Sequence, residues 1–274
     1  MPTPTNYGWF HLLSIGLVVA ATVLFCVFFR DTSDKRFRII LGICWVVIVL
    51  LEIYKQVIFS VNFEDGKAVW SYQWYAFPYQ LCSTPLYALP LVVFLPQGKI
   101  RDAVMSFLSS FAFFGGLAVM IFPNDVFIGY IGINIQTMIH HGLQVVLGIF
   151  LAVYNRRKLG VKYWLSSLPV YGVAIAIAMI LNLTIHQLVP DQTFNMFYIS
   201  HYYDCTLPVL SVIDSMVPWA VLFIIYLFGF IIVSLIMFGA QFGIIKLCSR
   251  GKKRGSAAPT AEQSNEKDGE LIDG

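Results

Sequence analysis

The chain has 274 residues, of which 58% are hydrophobic, 16% aromatic and only 12% charged, with a formal net charge of +3. Soluble domains carry about 25% charged residues, so an ordinary soluble fold is excluded. The apolar residues come in blocks about 20 residues long, which match the hydrocarbon core at helical rise and exclude the ten-residue alternation of a barrel. The chain therefore reads as all-α, a polytopic bundle of seven transmembrane helices.

The first span is predicted over Trp9–Phe29. It has no basic segment before it, and Arg30, Lys35, Arg36 and Arg38 follow it, so it reads as a retained anchor rather than a signal peptide. The second, Ile39–Val61, carries Glu52, Lys55 and Gln56. Glu52 and Lys55 are three apart on a helix and close enough to pair. A charge at that depth is costly unless paired or hydrated, so a structural ion pair and a binding role both stay open.

The third span, Ala76–Leu95, contains Pro78, Pro85 and Pro90, and kinks are expected there. Pro78 and Pro85 bracket Gln80 and Cys82; by itself such a cysteine is a small apolar filler. The fourth, Ala103–Phe122, offers small residues for close helix contact at Ser106, Ser109, Ser110, Gly115 and Gly116.

The fifth span, Tyr130–Tyr154, is the most informative. Asn134, Thr137, His141 and Gln144 follow a helical spacing that puts them on one stripe, and Gln136 and His140 form an adjoining one. Such a seam should face protein or a water-filled cavity. Interhelical hydrogen bonding would explain a lone amide, at about 0.6 kcal/mol per contact. Two histidines in hydrocarbon point further, to a functional site.

The sixth span is predicted over Tyr163–Ile185 and the seventh over Val217–Ile245, with a tyrosine-rich segment from His186 to Met216 between them. Aromatics of this kind suit a membrane interface, and the segment is placed over the mouth of the bundle. Residues 1–246 form the membrane domain and 247–274 a disordered tail, basic and then acidic.

Lys and Arg fall in alternate connections: after spans one, three, five and seven, with Lys67 alone on the other side. The positive-inside rule then places the N-terminus outside and the C-terminus in the cytoplasm of a cell-membrane protein. The net charge is a topology signal and does not point to nucleic acid. The five cysteines show no metal spacing, and no phosphate loop or zinc-protease motif is present, so no metal or cofactor is expected. Cys82 and Cys205 both fall on the outer side, where a disulfide is one option, although nothing in the sequence fixes their separation. Membrane lipid is the expected partner.

Glu52-x-x-Lys55, the Phe77-Pro78-x-x-Leu81-Cys82 turn, His141-Gly142 and the Asn195…Tyr198 segment leading to Pro208 together resemble the YwaF family of bacterial integral membrane proteins. That family is itself distantly similar to a eukaryotic transmembrane acyltransferase of ether phospholipids. The cysteine turn departs from the family pattern, with Phe77 and Tyr79 where leucines are usual. The resemblance implies a cysteine–histidine acyl-transfer centre, with Cys82 as nucleophile and His141 as base. Gln80, Gln144 or Asn134 could then steady an oxyanion. Two other readings remain: a transporter or receptor using Glu52, Lys55, Gln136, His140 and His141, and a non-catalytic scaffold acting through the tail.

Overall fold

A computed structural model describes residues 3–123 and 126–255, with side chains described through residue 248. In chain order its main helices are α1 (Trp9–Phe28), α2 (Asp34–Ile58), the short α3 (Pro85–Phe94), α4 (Lys99–Ile121), α5 (Ile131–Tyr154), α6 (Val161–Leu188) and α7 (Trp219–Gly255), with a single helical turn at Leu210–Asp214 before the last. Six of them, all but α3, are long and apolar enough to cross a membrane. Their outward faces carry exposed aliphatic and aromatic side chains, among them Leu17, Val23, Ile43, Leu50, Ile180 and Phe228. Such a surface is at home in lipid rather than water.

Each helix turns one stripe inward. In α2 the buried residues are Phe37, Leu41, Cys44, Ile48 and Glu52, so the carboxylate extends an otherwise apolar stripe. The central core is aromatic: Phe37 stacks on Tyr154 at 3.8 Å, and Phe111 on Tyr171 at 4.3 Å between ring centroids. α5 lies among α1, α2 and α4 and is buried along most of its surface, with Ile135 and Ile139 exposed on one face.

The third predicted span is broken. Helix is confined to Pro85–Phe94, preceded by tight turns at Trp74–Ala76 and Leu81–Ser83. Proline is the cause: Pro78 drives Phe77 out of helical geometry (φ −51°, ψ 135°), and Pro85 is seated at the start of α3, where a missing N–H is harmless. The second span also ends earlier than expected, at Ile58. Strands β1 (Val61–Glu64) and β2 (Lys67–Trp70) pair antiparallel through an Asp65-Gly66 turn with both residues at positive φ, a strong hairpin signal that the apolar count passed over. At the other end of the chain the last helix continues to Gly255; the rest of the expected tail, 256–274, lies outside the described residues.

Hydrogen bonds define two ends of the bundle. At the arginine end, Asp34 accepts from Arg38 and Arg101 at 2.8 and 2.6 Å, while those arginines also donate to the Val93 and Val92 carbonyls that finish α3. Lys158 pairs with Asp102, and Arg156 with Asp31. At the hairpin end, fully buried His11 joins α1 to the Met120 carbonyl of α4 at 2.9 Å, and Trp219 donates to the Ile199 carbonyl.

Candidate functional site

The proline-broken segment leaves main-chain groups without helical partners inside the bundle. Irregular backbone at membrane depth survives only where protein satisfies it. Five hydrogen bonds to four carbonyls do so here. The Cys82 carbonyl accepts from His140 Nε2 at 2.9 Å and from Gln144 Nε2; Gln56 donates to the Ala76 carbonyl at 2.8 Å; Thr84 donates to the Leu81 carbonyl at 2.6 Å; and Tyr87 donates to the Pro78 carbonyl at 2.9 Å. The seam read from α5 is thus joined directly to the Cys82 turn.

Tautomers follow from these partners, because a carbonyl only accepts. His140 carries its proton on Nε2, so Nδ1 is a lone-pair acceptor, and that atom is buried without a partner. His141 carries its proton on Nδ1, which donates to the Thr137 carbonyl at 2.8 Å. Its Nε2 is therefore a lone pair held in a fixed ring orientation. The two imidazole rings lie 5.2 Å apart at 71°. Gln144 Oε1 is a second buried acceptor without a partner.

Two adjacent glycines allow the close approach. A methyl added at Gly115 would meet the Cys82 backbone at 3.7 Å, and one added at Gly116 would meet Gln144 Cβ at 2.6 Å and the His141 carbonyl at 2.8 Å. The α4 backbone is thus pressed against both the cysteine turn and the histidine helix. One turn away, α4 carries a π-helical segment, Leu108–Ala112, a local widening common near functional sites.

On the other flank lies the α2 pair. Lys55 Nζ is 2.8 Å from Glu52, and Glu52 also accepts from Gln56 at 2.6 Å. Glu52 is only 6% exposed, so its charge is neutralised by Lys55 rather than by water. Both charges act on Cys82 and on His140. Tyr72, on the loop above, donates to Gln56 at 2.9 Å. Burial, aided by the Glu52 charge, pushes its hydroxyl up to about 12, so it stays a donor at any working pH.

The structure therefore gathers Glu52, Lys55, Gln56, Cys82, His140, His141 and Gln144, with Thr137 orienting His141. Asn134 serves elsewhere, its amide bonding both the N–H and the carbonyl of Ile128 and so closing the turn before α5. Gln136 is buried and receives Thr137 Oγ1 at 3.4 Å. Gln80 faces the segment beyond α6, donating to the Asn195 carbonyl at 2.9 Å and accepting from Phe197 N–H at 2.7 Å. Cys82 and Cys205 are both free thiols, Cys82 half-buried and Cys205 buried. Among the described residues no group of three or more His, Cys, Asp or Glu could hold a metal.

Asn182 had no place in the sequence reading and Asn195 entered it only as the start of the segment leading to Pro208, yet both organise the mouth of the bundle. Asn182 bonds the N–H and carbonyl of Met196, and Asn195 Oδ1 accepts from Ser200 N–H. Between them Phe197 and Tyr198 sit at φ 58° and 57°, a left-handed conformation that is costly for aromatic residues and is held by these amides. An asparagine late in an apolar span was the available signal, since an amide in hydrocarbon needs a partner.

A helical membrane bundle with buried polar groups meeting at one end is the class defined by this fold and site. The model of the TMEM164 family matches residues 6–238, and the chain belongs to that family of multi-pass integral membrane proteins. No curated protein and no solved structure matches the chain.

Proposed function

We propose that the chain is a lipid acyltransferase or esterase of the cell membrane, with Cys82 as nucleophile and His141 as general base. The α3 segment completes a seventh crossing, the hairpin end faces outward, and the C-terminus is cytoplasmic, in line with the basic residues at the opposite end. The resemblance to the YwaF family and to the eukaryotic ether-phospholipid acyltransferase points the same way.

One observation carries the reading. α5 joins the Cys82 turn through His140, and on the neighbouring His141, its ring 5.2 Å from that of His140, the Thr137 carbonyl holds the proton on Nδ1, so Nε2 is a ready acceptor. In the first half-reaction His141 Nε2 takes the thiol proton as sulfur bonds to the acyl carbonyl of a lipid ester. The ester C–O bond then breaks, and His141 returns that proton to the leaving alkoxide, giving a thioester and a free alcohol. In the second half-reaction an incoming alcohol or water gives its proton to His141 while its oxygen displaces sulfur, and the thiol is regenerated. Gln144 and the Lys55 ammonium are the nearby groups suited to the oxyanion. His140 holds the turn and is a positioning residue.

The transporter alternative needs a polar route to the arginine end. That direction is filled by Phe37, Phe107, Phe111, Phe150 and Leu151, all buried, and no His, Asp, Glu or Lys intervenes on α2, α4 or α5 until the arginine-end charges are reached. The scaffold alternative rests on residues 256–274, outside the described chain.

Acyl exchange between phospholipid and lysophospholipid in vesicles containing the purified protein tests the proposal. Cys82→Ala should abolish exchange and trapping of a thioester; full activity in that variant removes the cysteine from the chemistry.

A further inference from the structure

A second candidate site lies at the hairpin end, beyond Gln80. A half-open cavity of about 380 Å³ is lined by Tyr75, Gln80, Asn195, Tyr198, Tyr203 and Asp204, together with two threonines. That volume is in the range of small-ligand sites. Its polar chemistry is narrower than the residue names suggest. Gln80 and Asn195 spend their amides on the backbone of the loop. The Tyr203 hydroxyl donates to the Gln192 carbonyl at 2.8 Å, and the Tyr75 hydroxyl to Gln73. These two tyrosines therefore offer the cavity their rings.

What remains is aromatic surface beside the Asp204 carboxylate, which makes no ion pair among the described residues. Cations are scarce around it. No Lys or Arg occurs between Lys162 and Lys246 and Lys55 is paired with Glu52; Lys67 on the hairpin and the histidines His11, His186 and His201 are at this end, and none of them lines the cavity. Rings and a carboxylate without a competing cation suit one ligand chemistry, an alkylated ammonium, attracted to the ring faces and to the negative charge. A phosphate or carboxylate would find no Lys, Arg or His in the lining, and a sugar would find most of the amides and hydroxyls already engaged.

We infer that the hairpin-end cavity formed by Tyr75, Tyr203 and Asp204 is a binding site for an organic ammonium group, free or carried on a lipid headgroup. It does not depend on Cys82 being a nucleophile, because none of these side chains takes part in that chemistry. Gln80 lies two residues before Cys82, so an occupied cavity would sit directly beside the cysteine turn.

Thermal unfolding of the purified full chain in a maltoside detergent provides the test. The probes are choline, a short-chain phosphatidylcholine, and 3,3-dimethylbutanol, a neutral isostere of choline. The expected result is a saturable rise in Tm with at least one ammonium compound and none with the isostere. Choline alone identifies a free amine; the phospholipid alone identifies a lipid headgroup. Asp204→Asn should weaken the apparent affinity tenfold or more, and Tyr75→Leu, at a half-exposed ring, should weaken it independently. No saturable shift with either ammonium compound, an equal shift with the isostere, or an unchanged affinity in Asp204→Asn overturns the inference. Cys82→Ala should bind like the parent, so loss of acyl transfer and loss of ammonium binding are separable.

Discussion

Single side chains at the α4–α5 contact decide whether the site holds together. Gly116 has no room for a methyl group, since Gln144 Cβ would lie at 2.6 Å and the His141 carbonyl at 2.8 Å. Gly116→Ala should therefore push the helices apart and cost about 1–3 kcal/mol, the usual range for overpacking, read as a lower Tm in detergent. Gly115→Ala, with its nearest neighbours at 3.7 Å, should be tolerated in the same assay. The two histidines should also separate. His141→Gln should reduce acyl transfer by about 10²–10⁴-fold, the loss expected for a general base, with little change in Tm. His140→Leu removes one of two donors from the Cys82 carbonyl, leaving Gln144 in place, and should cost about 0.5–1.5 kcal/mol of stability.

At the scale of the element, α2 and the broken third span depend on each other. Removing Lys55 strands the Glu52 carboxylate on a buried stripe. Lys55→Met should destabilise the protein by about 3–5 kcal/mol, whereas Glu52→Leu with Lys55→Met should recover much of that loss, because the pair goes together. Thermal unfolding of the two single variants and the double variant measures the coupling. Hydropathy made α2, α5 and α6 legible as apolar blocks of bilayer length, and within α5 the helical spacing put Thr137, His141 and Gln144 on one stripe and Gln136 and His140 on the next. It did not show that α3 begins only at Pro85, because hydropathy records that Phe77 to Thr84 are apolar enough to enter the membrane without recording that two prolines forbid a helix there. The hairpin fell in the connection between the predicted second and third spans, to which hydropathy assigns no structure, although Asp65-Gly66 marked the turn.

Across the whole molecule, the charges at the arginine end form a connected belt from Asp34 and Arg101 to Asp102 and Lys158. In the proposed orientation that belt is cytoplasmic, and Cys248, exposed on the last helix, would lie on the same side. A membrane-impermeant maleimide should label Cys248 in broken membranes and not in intact cells, with Cys248→Ser as the control; labelling in intact cells would reverse the orientation. By itself the sequence determined the environment, the number of long helices to within one, the distribution of charge, and the residues that could not lie comfortably in lipid. These are properties of segments, fixed by solvation and by the helical repeat. Only the tertiary structure decided that Asn134 closes a turn, that Gln80 holds a distant loop, and that His140 and Gln144 converge on one carbonyl of the Cys82 turn. A polar side chain in hydrocarbon must find a partner, but which partner depends on how the helices pack, and that is a relation between segments far apart in the chain.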